Sequence, residues 1–273
     1  MMAELQITQE YLGQSIHLVY LAPMWKEFFS FVSPSKLKGV AGVANIGDDT
    51  NWCGHHFSQA NWYAYGRLAW NPALSSEAIA KEWLLLTFTP SKEEFLSSAL
   101  DIMLRSHEAC VDYMMPLGLH HIFMADHHYG PEPGGNQPHF PEEWKPVYYH
   151  KADSAGIGFD RSSKGTNAVS QYRQPLCSQY DNLSTCPDEY LLWFHHVAWD
   201  HRMKSGRTLW EEMQYHYNRG VKEVESFVAT WHKLRPEVDE QRYREVDERL
   251  QKQLDNAREW RRVCLDYFGK YVK

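Results

Sequence analysis

The sequence predicts a mainly α-helical protein that opens on the last strands of a larger α/β unit. Three observations carry that expectation. Three short apolar runs near the start are bounded by Gly, Pro and Asp, the pattern of strands buried on both faces. Two or three such strands do not close a stable sheet by themselves, so they read as part of something larger. From residue 54 onward apolar residues recur every three or four positions, the period of a helix face. With 273 residues and 43% hydrophobic content, the chain has enough material for a core and fits one or two domains.

The first run, Leu5-Gln6-Ile7-Thr8, alternates as a strand does. The second is His17-Leu18-Val19-Tyr20-Leu21. The third, Gly39 to Asn45, is small and β-branched and stops at Gly47-Asp48-Asp49. His55 to Trp70 reads as the first helix, stopped by Asn71-Pro72. Ser75 is the N-cap of a helix from Glu77 to Phe88, with Leu74 placed to staple against Ile79. Ser91 and Glu94 form a capping box for a long helix ending near Pro116-Leu117-Gly118. A stretch dense in Gly, Pro, Ser, Asn, Tyr and His follows, at about residues 125–186. Loops this long are functional or disordered as a rule, and the aromatic content favours a folded loop over a site. Pro187 suits a first helical position, and Asp188 and Glu189 suit the positive end of the dipole. They predict a helix to about Lys204, ended by Gly206. Thr208 and Glu211 make a second capping box, after which Leu209, Met213, Tyr217, Val221, Val224, Val228 and Trp231 form one stripe. A last helix from about Asp239 carries Val246, Leu250, Leu254, Ala257, Cys264 and Phe268 on one face.

The net charge of -7 argues against a broad nucleic-acid surface. Residues 219–273 hold 13 Lys and Arg against 11 Asp and Glu. That is a mixed solvated surface or a dimer contact, and the negative balance lies in front of it. Five cysteines without a CxxC argue against a disulfide framework and a Cys-based zinc site. No segment reaches the ~18 apolar residues of a membrane span. No signal peptide is visible at the start, which places the chain in the cytoplasm if Met1 is the native start; an upstream signal would make it periplasmic or secreted.

Aromatic residues make up 14%, and such rings either fill cores or form platforms for sugars. Glu10 follows the first apolar run. In a parallel α/β sheet or barrel it lies at the C-terminal tip of a strand, where active sites of such folds sit; a helix-start role is the plainer alternative. Glu4 lies within or before the strand. Asn45, Asp48, Asp49, Asn51 and Trp52 cluster after the third run. They suit either recognition of sugar hydroxyls, with Trp52 as a stacking face, or ordinary turn chemistry. Histidine pairs recur at His55-His56, His120-His121, His127-His128 and His195-His196. No HExxH motif is present, and His196, Asp200 and His201, if helical, approach ligand spacing without a second ligand set. No metal and no cofactor is expected.

At Gly42-Val-Ala-Asn-Ile-Gly-Asp-Asp-Thr-Asn-Trp-Cys-Gly-His-His56 and Gln59-Ala-Asn-Trp-Tyr-Ala-Tyr-Gly-Arg-Leu-Ala-Trp-Asn-Pro72 the sequence becomes specific. It resembles the α-glucuronidases of glycoside hydrolase family 67. Supporting runs are Gln6-Ile-Thr-Gln-Glu-Tyr-Leu-Gly13, His17-Leu-Val-Tyr-Leu-Ala-Pro-Met24, His127-His-Tyr-Gly-Pro131, Tyr149-His-Lys-Ala-Asp153, Gly156-Ile-Gly-Phe-Asp-Arg161, Cys186-Pro-Asp-Glu189 and His195-His196 with His201-Arg-Met-Lys-Ser-Gly206. The similarity spans essentially the whole chain.

The resemblance implies a C-terminal helical domain at residues 54–273, preceded at 1–53 by the last strands of a truncated (β/α)8 barrel, since a whole barrel needs ~250 residues. It implies that the catalytic acid and a partner aspartate lie upstream of Met1, in a truncated product or partial sequence. The segment between Met24 and Gly39 is shorter than is usual in the family. The implied reaction is inverting hydrolysis that releases glucuronic acid, or its 4-O-methyl form, from glucuronoxylan-derived oligosaccharides. By the match to the Gln-Ile-Thr-x-Glu segment, the water-activating base is Glu10, with Glu4 in reserve. Asp49, Asn51, Trp52, His127, His128, Tyr129 and Trp144 are the candidate pocket lining. Arg161 either meets the acidic sugar or forms a structural ion pair. The family resemblance also implies a homodimer through the helical domain, with the charged helix that bears Trp260 in a role there. The rival reading is a non-catalytic helical module for dimerisation or carbohydrate contact, inactive alone because the acid is missing.

Overall fold

The computed structural model describes residues 2–7, 16–31, 36–44, 53, 55–90, 92–125 and 129–272. The chain is mainly helical, as its apolar periodicity predicts, with few strands among the described residues. It divides into two compact units, residues 1–110 with 222–255 and residues 111–221 with 256–273.

The first unit begins with β1 (Met2–Gln6), which runs parallel to β2 (Gly39–Val43), Met2 opposite Gly39 and Gln6 opposite Val43. Helix α1 (Ala22–Phe31) separates them in the chain, so the three form a β-α-β connection, the way parallel strands are joined. Side chains alternate across a strand: Leu5 and Ile7 are buried while Glu4 on the other row is exposed. Gly42 is needed for close approach, because a Cβ there would stand 2.6 Å from Ile7 Cδ1 and 2.9 Å from the Tyr65 ring.

The second apolar run does not become a strand. Among the described residues Leu18 to Leu21 have no ladder partner; they are buried, and side chains satisfy their backbone. Leu18 N–H donates to Gln253 Oε1 (3.0 Å), Tyr20 N–H to Ser106 Oγ (2.8 Å) and Leu21 N–H to Asn61 Oδ1 (2.9 Å), while Asn61 Nδ2 donates to the Val19 carbonyl (2.8 Å). A continuous apolar run reports burial, and burial alone does not specify which groups satisfy the peptide units.

Helices α2 (His56–Trp70) and α3 (Ser76–Phe88) follow. Ser75 caps α3 as expected, its hydroxyl accepting from Ala78 N–H at 3.1 Å. Phe57 packs on Trp83 and Trp231 with centroids 5.5 and 6.1 Å away, and Tyr243 stacks on Trp231 at 6.1 Å. These rings are the centre of this unit's core.

The second unit contains the loop-rich stretch, and its described residues are folded. It carries α5 (Pro146–His150), β3 (Gly156–Ile157), α6 (Leu176–Asp181), α7 (Leu191–Phe194) and β4 (Val197–Ala198). The helix expected from Pro187 to Lys204 is not formed. A 3-10 turn at 188–190 leads into α7, and His195 turns extended (φ −132°, ψ 145°). Val197 and Ala198 then pair antiparallel with Ile157 and Gly156. Long-range pairing overrides a sound helix-start signal here. Gly156 admits it, because a Cβ there would lie 2.1 Å from the Val197 carbonyl oxygen. His196, Asp200 and His201 therefore do not share a helix.

Three long helices complete the chain: α4 (Glu93–Met114), α8 (Leu209–Leu234) and α9 (Glu240–Phe268). The box that opens α8 forms: Thr208 N–H donates to Glu211 Oε2 (2.7 Å) and Glu211 N–H to Thr208 Oγ1 (3.2 Å). The stripes read from sequence on α8 and α9 are buried throughout. Among the described residues no helix is long and apolar enough to cross a membrane.

Candidate functional site

An aromatic cavity in the second unit has a volume of about 360 Å³. Helix α5 forms one side. Pro146 stands at its first position, where the missing N–H is not needed. Gly135 lets the preceding turn approach it, since a Cβ would sit 2.9 Å from Pro146 Cγ. His150 anchors the other end. Its Nε2–H donates to the Pro133 carbonyl (2.7 Å) and its Nδ1 accepts from Ala152 N–H (2.9 Å). Burial pushes its pKa down to about 4, so the ring is neutral and holds one tautomer.

This anchoring fixes Tyr149, whose ring stacks on His121 with centroids 4.2 Å apart and planes 10° apart; Trp193 lies on the stack at 6.3 Å. Burial, with smaller electrostatic contributions from His121 and the Arg161 cation, holds the His120 pKa down to about 4. Phe123, Phe140 and Trp144 add further apolar wall. Trp144 is 66% exposed, so its ring is offered to whatever enters.

The polar groups are few. Glu132 accepts from Ala125 N–H at 3.0 Å and from Gln137 Nε2, 3.1 Å from each of its oxygens. These bonds tie the two sides of the segment paired by Met124 N–H to Gly130 O (2.8 Å) and Glu132 N–H to Ile122 O (2.9 Å). Gln137 lines the cavity, and its Oε1 is buried with no hydrogen-bond partner among the described residues. Such an acceptor is costly to leave unpaired, and it matches a hydroxyl donor on a ligand. Stacking faces with a few placed polar groups are the chemistry of a site for a polyhydroxylated ring.

Of the candidates read from the sequence, Trp144 lines this cavity. Arg161 stands behind the wall: its guanidinium lies 3.9 Å from the Trp193 ring centroid and 4.2 Å from that of Phe159, and Nη1 donates to the Trp193 carbonyl (2.6 Å). Among the described residues it has no carboxylate partner, and burial lowers its pKa. Tyr129 is half-buried, and its carbonyl accepts from Trp260 Nε1 at 3.0 Å. Trp260 is fully buried, so it faces the core and offers no surface to a second subunit. Glu4 sits mid-strand in the first unit. Glu10, Asp49, Asn51, Trp52, His127 and His128 lie outside the described residues.

Sequence reasoning missed Gln137, Tyr149 and His121 as lining. The Pro146 helix start, which projects Tyr148 and Tyr149, was the available signal. Among the described residues no group of three or more His, Cys, Asp or Glu is placed to hold a metal ion.

Residues 53–273 match the description "Glycosyl hydrolase family 67 C-terminus", and residues 1–33 match the "Glycosyl hydrolase family 67 middle domain". The chain is 36% identical to Alpha-glucuronidase A of Emericella nidulans over 97% of its own length and 33% of that protein's. It is 35% identical to Alpha-glucuronidase of Hypocrea jecorina over the same shares, 97% and 33%. The Aspergillus oryzae protein named Probable alpha-glucuronidase A is 36% identical across 98% of the chain and 34% of its own length. The chain thus spans about a third of the length of the curated relatives it matches. With a family description covering most of its residues, the chain belongs to glycosyl hydrolase family 67.

Proposed function

We propose that this chain is the C-terminal part of an α-glucuronidase. The whole protein hydrolyses α-1,2-linked glucuronic acid, or its 4-O-methyl form, from xylo-oligosaccharides with inversion at the anomeric carbon. The observation that carries this reading is the likeness, along nearly the whole chain, to proteins named alpha-glucuronidase. The aromatic cavity, with a buried acceptor that has no partner among the described residues, supports it as a sugar-contacting surface. Residues 1–53 are read as the end of a (β/α)8 barrel and 54–273 as the helical domain. The parallel β1–β2 pair supports the barrel end, with Leu5 and Ile7 on the buried row and Glu4 on the other.

In this mechanism Glu10 is the general base, with Glu4 as the alternative. The carboxylate removes a proton from water as that water attacks the anomeric carbon. A carboxylic acid supplied from outside this chain protonates the leaving oxygen, ~6.5–9.5 Å from the base, so that the water fits between them. Tyr129, Trp144, His127 and His128 contact the sugar units, as do Asp49, Asn51 and Trp52; Arg161 meets the uronate. The isolated chain is inactive because it holds half of the acid–base pair. The whole protein dimerises through the helical domain.

The test is release of uronic acid from an acidic xylo-oligosaccharide by the intact protein. Glu10→Gln lowers kcat by about 100-fold or more; ordinary turnover in that variant transfers the role to Glu4 or ends the assignment. Trp144→Ala raises KM more than it lowers kcat.

A further inference from the structure

A second aromatic cleft, of about 370 Å³, opens elsewhere in the second unit, lined by Ser154, Trp199, Asp200, Thr208 and Trp210 among others. Its frame is rigid. Trp199 follows β4 directly, and its indole N–H donates to the Asp153 carbonyl at 2.8 Å. Trp210 N–H donates to the Trp199 carbonyl (3.2 Å), Leu209 N–H to His201 O (2.8 Å), and Arg202 bridges to Thr208. The chain from 199 to 210 therefore closes on itself before the Thr208–Glu211 box starts α8. The Asp153 carboxylate holds the turn that carries Ser154, accepting from Ala155 N–H (2.8 Å) and Gly156 N–H (3.0 Å).

The two indoles meet edge to face at 6.1 Å. Trp199 is nearly buried and Trp210 half-buried. The far edge of the Trp210 ring faces Gly269, where an added Cβ would lie 3.6 Å from it, in ordinary van der Waals contact. Three polar groups around the rings form no hydrogen bond among the described residues: the Asp200 carboxylate, the Ser154 hydroxyl and the Trp210 indole N–H. The cleft sets the half-buried Trp210 ring beside an exposed carboxylate, an exposed hydroxyl and its own indole N–H. It suits a ring with a C–H face and adjacent hydroxyls. The cleft's ionic lining group is an acid, so a uronate is repelled and a neutral sugar is favoured.

We propose that the Trp199–Trp210 cleft is a second carbohydrate-binding site, which takes a neutral pyranose unit of an oligosaccharide chain. It rests on the hydrolase reading only for the choice of probe. Such a site would hold an unsubstituted stretch of a chain while another part of the same chain is acted on.

The test titrates this chain with xylotetraose by calorimetry in a Trp144→Ala background, which silences the first cavity. Saturable binding is expected there. Adding Trp210→Ala weakens it about tenfold or more, whereas Trp210→Phe retains most of it. Glucuronate alone does not displace the probe. Should Trp210→Ala disturb folding, as judged by circular dichroism, Ser154→Trp fills the cleft from an exposed turn and abolishes binding in a folded chain. Undiminished binding in the Trp210→Ala and Ser154→Trp variants overturns the proposal. So does no binding by the Trp144→Ala chain, and so does equal competition by glucuronate. Uronic acid release by the intact protein is measured separately. Its absence with xylotetraose binding intact sinks the hydrolase reading alone.

Discussion

Residues 16–21 in the first unit and residues 146–199 in the second both lack long regular structure, yet they satisfy their peptide groups in opposite ways. The first is buried, and three side chains, Gln253, Ser106 and Asn61, take its amides. The second is tied mostly by backbone to backbone, as in Gly158 N–H to His150 O (2.7 Å), Phe159 N–H to Leu192 O (3.1 Å) and Arg161 N–H to Phe194 O (2.9 Å). In the first the stabilisation is concentrated in a few replaceable side chains. In the second it is spread over peptide units that substitution leaves in place, so the vulnerable positions are those where backbone must approach backbone.

The largest effect is expected at Gly158. Its φ of +107° is a conformation that side-chain-bearing residues rarely adopt, and a Cβ would lie 2.1 Å from the His195 carbonyl oxygen. Gly158→Ala is expected to destabilise by about 3–5 kcal/mol in urea unfolding, from strain and overpacking together. A loss below that of an ordinary surface change would erase the contrast. Next is Asn61→Ala, which strands the Leu21 N–H and the Val19 carbonyl. Its expected cost is about 2–4 kcal/mol, with Asn61→Asp recovering only the acceptor. The smallest effect sharpens the comparison, because His150 is the second region's own side-chain anchor. Its folded pKa of about 4 lies below the ordinary 6.5, so the unfolded chain binds more protons between those values. This stability is complete above pH 6.5 and declines as pH falls towards 4, by about 2 kcal/mol between pH 7 and pH 5. His150→Gln should flatten the pH dependence of the urea midpoint by that amount; an unchanged slope would show that other groups set it.

The helices with local start signals were legible. Ser75 and the Thr208–Glu211 pair act within one turn, and the apolar stripes of α8 and α9 need only periodicity. The β3–β4 pair was not, because two-residue strands are specified by each other, about 40 positions apart in the sequence. The run from His17 to Leu21 displayed its burial and concealed its partners, one of which, Gln253, stands 235 positions away. At the cavity, the exposed Trp144 could be nominated from residue type. Gln137 could not, since what matters about it is that Glu132 takes its amide nitrogen and leaves its oxygen without a partner among the described residues.

Strand β1, with Ile7 just after it, places Leu5 and Ile7 in one row and Glu4 in the other. Because that alternation has a period of two, a one-residue slip of the strand against β2 would exchange the rows. The carboxylate would be thrust into grease and an aliphatic group would take its place. Evolution can therefore swap letters along this stretch more freely than it can change the number of letters.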